Sequence, residues 1–186
     1  MSRKEKAKLV SIALKEIAAN DSRLGHNEWR IIVALERAVA RLEQHEQLRE
    51  HLVFKGGFVL LKTTDTTRFT KDVDALAVSI HRENVPALVQ SALAKDLDDG
   101  LWYGNAETKD LEEQGLYGAY RFVVPFQIGD PPADPKINNP SDGVLVENRC
   151  HGNGCLGSFL MKNWRGFQSR TFSCSESYQI VFQVWK

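Results

Sequence analysis

A change of hydrophobic period at about residue 51 does most to restrict how this 186-residue chain can fold. Before it, Ile31, Ile32, Leu35, Ala38, Val39 and Leu42 recur at the spacing of one helix face. After it, Leu52, Val53 and Phe54 form a short apolar run that stops at Gly56-Gly57 and resumes as Phe58, Val59, Leu60 and Leu61. So short a run, closed by glycines, fits a strand that turns directly into a helix. A Thr-rich polar loop, Thr63 to Lys71, leads to the β-branched segment Asp72 to Ile80, which predicts a second strand. Asn84 to Leu97 predicts a helix with Pro86 in its first turn, and Tyr120 to Val124 a strand ending before Pro125, ahead of a stiff loop at 130–135. Helices followed by alternating strands and helices give an α/β or α+β domain.

The first 50 residues predict a helical hairpin packed on the core, with a turn at Asn20 to Asn27 and Asn27 as N-cap of the second helix. Glu28, Arg37, Arg41 and Glu43 are expected on a solvated face. Lys and Arg number 24, as do Asp and Glu, so no overall field draws the chain to nucleic acid or lipid, and a polyanion must find a local patch. No apolar run approaches the roughly 18 residues of a bilayer span, which leads to the expectation of a cytoplasmic protein with no membrane contact. Residues 51–147 form the expected core. The remainder, 148–186, is an atypical tail holding Cys150, Cys155 and Cys174, two of the four Trp and a single acid, Glu176. It is too short for a second core. Cys150, His151 and Cys155 fall short of the four spaced ligands zinc prefers, and reduced thiols are expected.

Asp72 and Asp74 are two apart on a predicted strand, so both carboxylates share one face. Their repulsion calls for a raised pKa or for a cation, and a hard divalent ion such as Mg²⁺ takes oxygen ligands of this kind. Taken alone, such a pair is also compatible with a solvated surface. Gly56 and Gly57 begin a predicted helix, where exposed backbone N–H groups can cradle phosphate, and Lys55 adds charge beside them. A phosphate cradle in register with a carboxylate pair is what phosphoryl chemistry requires. It is not a Walker loop, because the required Gly and Lys-Ser/Thr spacing is missing around Gly57.

Lys55-Gly56-Gly57-Phe58-Val59-Leu60 followed by Arg68-Phe69-Thr70-Lys71-Asp72-Val73-Asp74 resembles the signature of the AbiEii/AbiGii nucleotidyltransferase toxins, within the polymerase-beta-like superfamily. The resemblance spans about residues 25 to 136 and includes a preceding helix at Trp29 to Leu48. It implies a nucleotidyltransferase-like mixed sheet behind the helical pair. It also implies transfer of a nucleoside monophosphate from an NTP to an acceptor hydroxyl, tRNA ends being the acceptor of some relatives. On that resemblance Gly56, Gly57 and Lys55 contact the triphosphate, Asp72 and Asp74 hold Mg²⁺ and carry catalysis, and Arg68 and Thr70 support phosphate or metal geometry. An antitoxin partner and a role in phage defence are implied in the same way. A domain that binds nucleotide or antitoxin without catalysis is the alternative.

The family generally adds a third carboxylate on a later strand, in an Ile-Asp-Val-like segment missing here. Asp130, Asp134 and Asp142 lie among turn-forming residues. The segment Asn148 to Gly154 can be encoded by codons that, read one base later, spell Ile-Asp-Val-Met-Gly-Met. This raises the expectation of a frameshift between about Ser141 and Asn148, with loss of the family's own C-terminal region.

Overall fold

The computed structural model describes residues 1–64, 69–111, 119–132 and 177–185, the last stretch and Leu111 as backbone only. Two long helices, α1 (Arg3–Asn20) and α2 (His26–Glu43), pack as a hairpin. Ser2 and Glu5 close a reciprocal capping box at the start of α1. The cap of α2 is Gly25 and not Asn27, which lies inside the first turn. A Cβ at Gly25 would come within 2.8 Å of Glu28 Oε2, so glycine leaves room for that carboxylate to fold back over the positive helix end.

After a single turn, α3 (Glu46–Arg49), the chain enters β1 (Leu52–Lys55), α4 (Gly56–Thr63) and β2 (Asp72–Val78). This is the strand–helix–strand unit that the change of period predicts. A 3₁₀ turn (Arg82–Asn84) precedes α5 (Val85–Ala94), with Pro86 in its first turn, followed by β3 (Leu101–Tyr103), β4 (Glu107–Leu111), β5 (Ala119–Ile128) and β6 (Ser177–Trp185). The strands form one six-stranded mixed sheet in the order β1-β2-β6-β5-β3, with β4 beside β3 along the same edge of β5. Among the described residues only the β5–β6 pairing is parallel.

Alternation sets the two faces. Leu52, Phe54, Val73, Ala75, Phe122, Val124 and Phe126 are buried in one core with Ala34, Leu35, Ala38 and Leu42 of α2 and Val85, Val89 and Ala92 of α5. Lys55, Asp72, Asp74 and Arg121 alternate with these and belong to the face away from α2 and α5.

Several predicted boundaries move. The strand at residue 120 runs through Pro125 to Ile128, because its edge partners change there: β4 pairs up to Val123, β3 from Phe126, and Gly104 N–H donates to the Pro125 carbonyl at 2.9 Å between them. A missing N–H is tolerated where one edge ladder hands over to another. The β2 strand stops at Val78, since Ser79 takes φ 55°, and the α5 helix is shorter at both ends than predicted. Within the tail, Ser177–Trp185 pairs on both sides, with β2 and β5. Cys150, His151, Cys155 and Cys174 lie outside the described residues.

The largest correction concerns the face of α2 expected to be solvated. Arg41 is 1% exposed. Its guanidinium donates to both Asp99 oxygens at 2.8 and 2.9 Å, to Lys95 O and to Arg37 O, and lies 4.6 Å from the centre of the Tyr103 ring. Arg37 adds a third bond to Asp99 at 2.7 Å. Burial by itself would raise the Asp99 carboxyl, yet these hydrogen bonds outweigh it and hold it at about 2. Arg3 pairs with Asp96 and Lys6 with Asp98, so the turn Asp96–Asp99 ties down both N-terminal helices. Gly100, at φ 77°, lets this turn press against α1, where a Cβ would lie 2.7 Å from the Ala7 amide nitrogen. Glu43 is half-buried, and burial lifts its carboxyl to about 7.

Candidate active site

The site is assembled by the β1–α4–β2 unit. Strand β1 delivers the chain to α4 without a loop: Lys55 is the N-cap, and Gly56 and Gly57 are the first two helical residues. Gly56 adopts φ 77°, a conformation that disfavours any side chain. It also lies against the second Asp, since a Cβ there would fall 2.2 Å from Asp74 Oδ2. The Asp74 carboxylate thus packs on the start of α4 because residue 56 is glycine. Lys55 stands directly opposite Asp74 in the β1–β2 register.

Thr70 joins the remaining parts. Its hydroxyl donates to Asp72 Oδ1 at 2.7 Å, and Thr70 Oγ1 sits 3.3 Å from where a Cβ of Gly57 would be. The second glycine therefore makes space for the side chain that orients Asp72. Asp72 and Asp74 are both half-buried and share one face of β2.

Of the residues singled out from sequence, the structure brings together Lys55, Gly56, Gly57, Thr70, Asp72 and Asp74. Arg68, Asp134 and Asp142 lie outside the described residues. Asp130 is exposed and is not brought to the pair: it follows Ile128, which lies about 17 Å along β5 from Val123, the residue in the row of Asp72. Strand β6, the later strand that neighbours β2, contains no Asp or Glu; Gln183 stands opposite Asp72 and Val181 opposite Asp74. Among the described residues no group of three His, Cys, Asp or Glu is placed to hold a metal.

Two carboxylates gathered beside a glycine-led helix start, on one face of a mixed sheet, define a nucleotidyltransferase-like α/β domain. The family comparison agrees: the model described as "Nucleotidyl transferase AbiEii toxin, Type IV TA system" matches residues 37–146, and the chain belongs to that family. No curated protein and no solved structure matched the chain. Membership brings with it an antitoxin counterpart and a nucleotide substrate. No helix among the described residues is long and apolar enough to cross a membrane.

Proposed function

We propose that the chain is a toxin that transfers a nucleoside monophosphate from an NTP to an acceptor hydroxyl, with a tRNA end as acceptor and phage defence in the cytoplasm as the setting. The single observation that carries this reading is the packing of Asp74 on Gly56. It sets one carboxylate of the pair against the glycine-led start of α4, which supports a reading in which metal-bridged triphosphate chemistry uses both.

The donor set fits Mg²⁺, a hard ion that binds through one or two carboxylates and substrate phosphates and retains water. Asp72 and Asp74 would hold it, with Thr70 fixing the orientation of Asp72. When bound, the ion supplies charge neutralisation of the triphosphate. The backbone at Gly56 and Gly57, with Lys55, holds the β- and γ-phosphates. The acceptor oxygen then forms its bond to the α-phosphorus, the bond from that phosphorus to the bridging oxygen breaks, and pyrophosphate departs with the electron pair. The hydroxyl proton passes to water.

The absence of a carboxylate from β6 favours a second reading, in which the chain binds nucleotide without turning it over. The family match ends at residue 146, inside the interval in which a changed reading frame would begin. One experiment separates the two: incubation of the full chain with Mg²⁺, tRNA and each α-labelled NTP. Label transfer that is lost in an Asp72→Asn, Asp74→Asn double variant supports the enzyme. NTP binding without transfer supports the second reading, and Val181→Asp, opposite Asp74 in the register, is then expected to introduce activity.

A further inference from the structure

Helix α4 carries the glycine-led start against which Asp74 rests, yet of its eight residues, all described, Phe58 alone is buried. A helix of little more than two turns is far below the length at which a peptide helix stands by itself, so contacts with the rest of the domain must fix its place. It packs on β1 and β2. Its last turn is tied by Lys62, whose ammonium pairs with Glu36 of α2 and lies 5.9 Å from the centre of the Phe58 ring.

Helix capping does not account for that lysine. The Thr63 and Thr64 hydroxyls already donate to the Val59 and Leu60 carbonyls at 2.8 and 2.7 Å, and the Thr64 amide donates to Leu60 at 2.9 Å. Nor is Lys62 placed as a ligand of phosphate at the helix start, since it follows Gly56 by six residues, about 9 Å along the axis. Its partner stands on a fixed element: Glu36 adjoins Arg37, which with Arg41 clamps the Asp99 carboxylate and so anchors α2. The Lys62 and Glu36 side chains are 22% and 32% exposed, and a pair so far withdrawn from water is screened less than one on the surface.

Contacts therefore run from the Asp99 cluster through α2, Glu36 and Lys62 to α4 and its first residues. We infer that Lys62 and Glu36 are positioning residues for the nucleotide. They set where the backbone at Gly56 and Gly57 stands relative to Asp72 and Asp74, so that a triphosphate meets both without rearrangement of α4. This deepens the nucleotidyl-transfer reading and rests on it.

The test titrates the full chain, with Mg²⁺, against N-methylanthraniloyl derivatives of the four NTPs, with unlabelled tripolyphosphate as competitor and thermal unfolding of each variant alongside. Glu36→Gln is the decisive variant, being nearly isosteric. It removes a negative charge, so a field acting through space would tighten binding of the polyanion, whereas loss of the tie weakens it. The expected result is about three- to ten-fold weaker binding, of NTP and tripolyphosphate alike. Lys62→Arg, which keeps the pair, should stay near the parent, and Glu36→Lys with Lys62→Glu should recover most of the loss. Unchanged or tighter binding by Glu36→Gln overturns the assignment, and a lower unfolding temperature with unaltered affinity marks the pair as structural alone. A loss for NTP that tripolyphosphate does not share also overturns it, because the effect would then lie at the nucleoside. A parent chain that binds none of the four NTPs sinks the nucleotidyl-transfer reading itself, and this inference with it.

Discussion

Asp99, between α5 and β3, and the pair Asp72 and Asp74 on β2 show two ways of placing carboxylates in one domain. Asp99 accepts from two arginines, one of them fully buried, and its Oδ1 also accepts from the Leu101 amide at 3.1 Å. The carboxylate is paired and largely taken out of water, the pattern of a structural tie. On β2 two carboxylates share a face, and glycine at 56, itself exposed, lets Asp74 lie against the adjoining helix start. Like charge concentrated beside open backbone is a cost to the fold that a bound cation and phosphate would offset. The same residue type is thus a structural tie where two arginines close over it, and a candidate for binding a cation where two of its kind share a face.

Breaking the matched cluster should have the largest effect on stability. Arg41→Ala leaves Asp99 buried without its bidentate partner and empties the space under Tyr103, with an expected loss of about 3–5 kcal/mol in urea unfolding. Replacing both partners, Arg41→Met with Asp99→Leu, should recover much of that loss. If the double variant is no better than Arg41→Ala alone, the cluster is not the closed unit described here. The native cluster should also be acid-sensitive. Asp99 is held at about 2, below its ordinary 3.8, so its contribution is complete above pH 4 and disappears as pH falls towards 2, a loss of about 1–2 kcal/mol after screening.

Gly56→Ala sharpens the contrast from the other side. It places a Cβ on the Asp74 carboxylate and forces a side chain into positive φ, so a stability loss of about 1–2 kcal/mol is expected together with at least ten-fold weaker NTP binding. Among the described residues Gly57→Ala meets only Thr70, at 3.3 Å, and should cost less on both measures. Equal effects at the two positions would mean that Asp74 is not anchored on Gly56.

These differences bear on what could be foreseen from the residues. The β1–α4–β2 unit and the grouping of its candidate residues were legible because they are local: the period change, the glycines and the Asp pair lie within 23 residues, Leu52 to Asp74. The strands β3 and β4 were not, since Leu101–Tyr103 is too short to show a period and Glu107–Leu111 is mostly polar on an edge. Nor was the burial of Arg41, which depends on an acid 58 residues away. A signal existed: Arg41 falls on the same face as Ala34 and Ala38, whose small side chains leave room for a guanidinium, and an acidic turn, Asp96-Leu97-Asp98-Asp99, has the matching charge. An amphipathic reading assigns arginine to water by default, and only tertiary pairing reverses it.

Glu43 gives a smaller effect of opposite sign to Asp99. It lies at the end of α2, its Oε1 finds no hydrogen-bond partner among the described residues, and burial raises it from 4.5 to about 7. Because the folded chain keeps a proton that the unfolded chain has released, stability should decline as pH rises from about 4.5 to 7. Glu43→Gln should remove that decline. At pH 8 the variant is expected to be more stable than the parent by about 1–2 kcal/mol, discounted for partial exposure, with the two melting curves converging at pH 4. A gap that does not depend on pH would place the cause in packing and not in the unpartnered charge.

The smallest stability change should come from the functional side, and its smallness is what makes it informative. Asp74→Asn retains shape while removing one of two like charges on the same face of β2, so stability should stay within about 0.5–1 kcal/mol of the parent or rise. A matched structural carboxylate behaves otherwise: Asp99→Asn forfeits its ion pairs and should lose several-fold more. Thermal unfolding of the two variants side by side, with and without Mg²⁺, tests the distinction directly. If Asp74→Asn proves as costly as Asp99→Asn in the absence of metal, then Asp74 is a structural tie to α4, and the case for a cation at the pair falls with it.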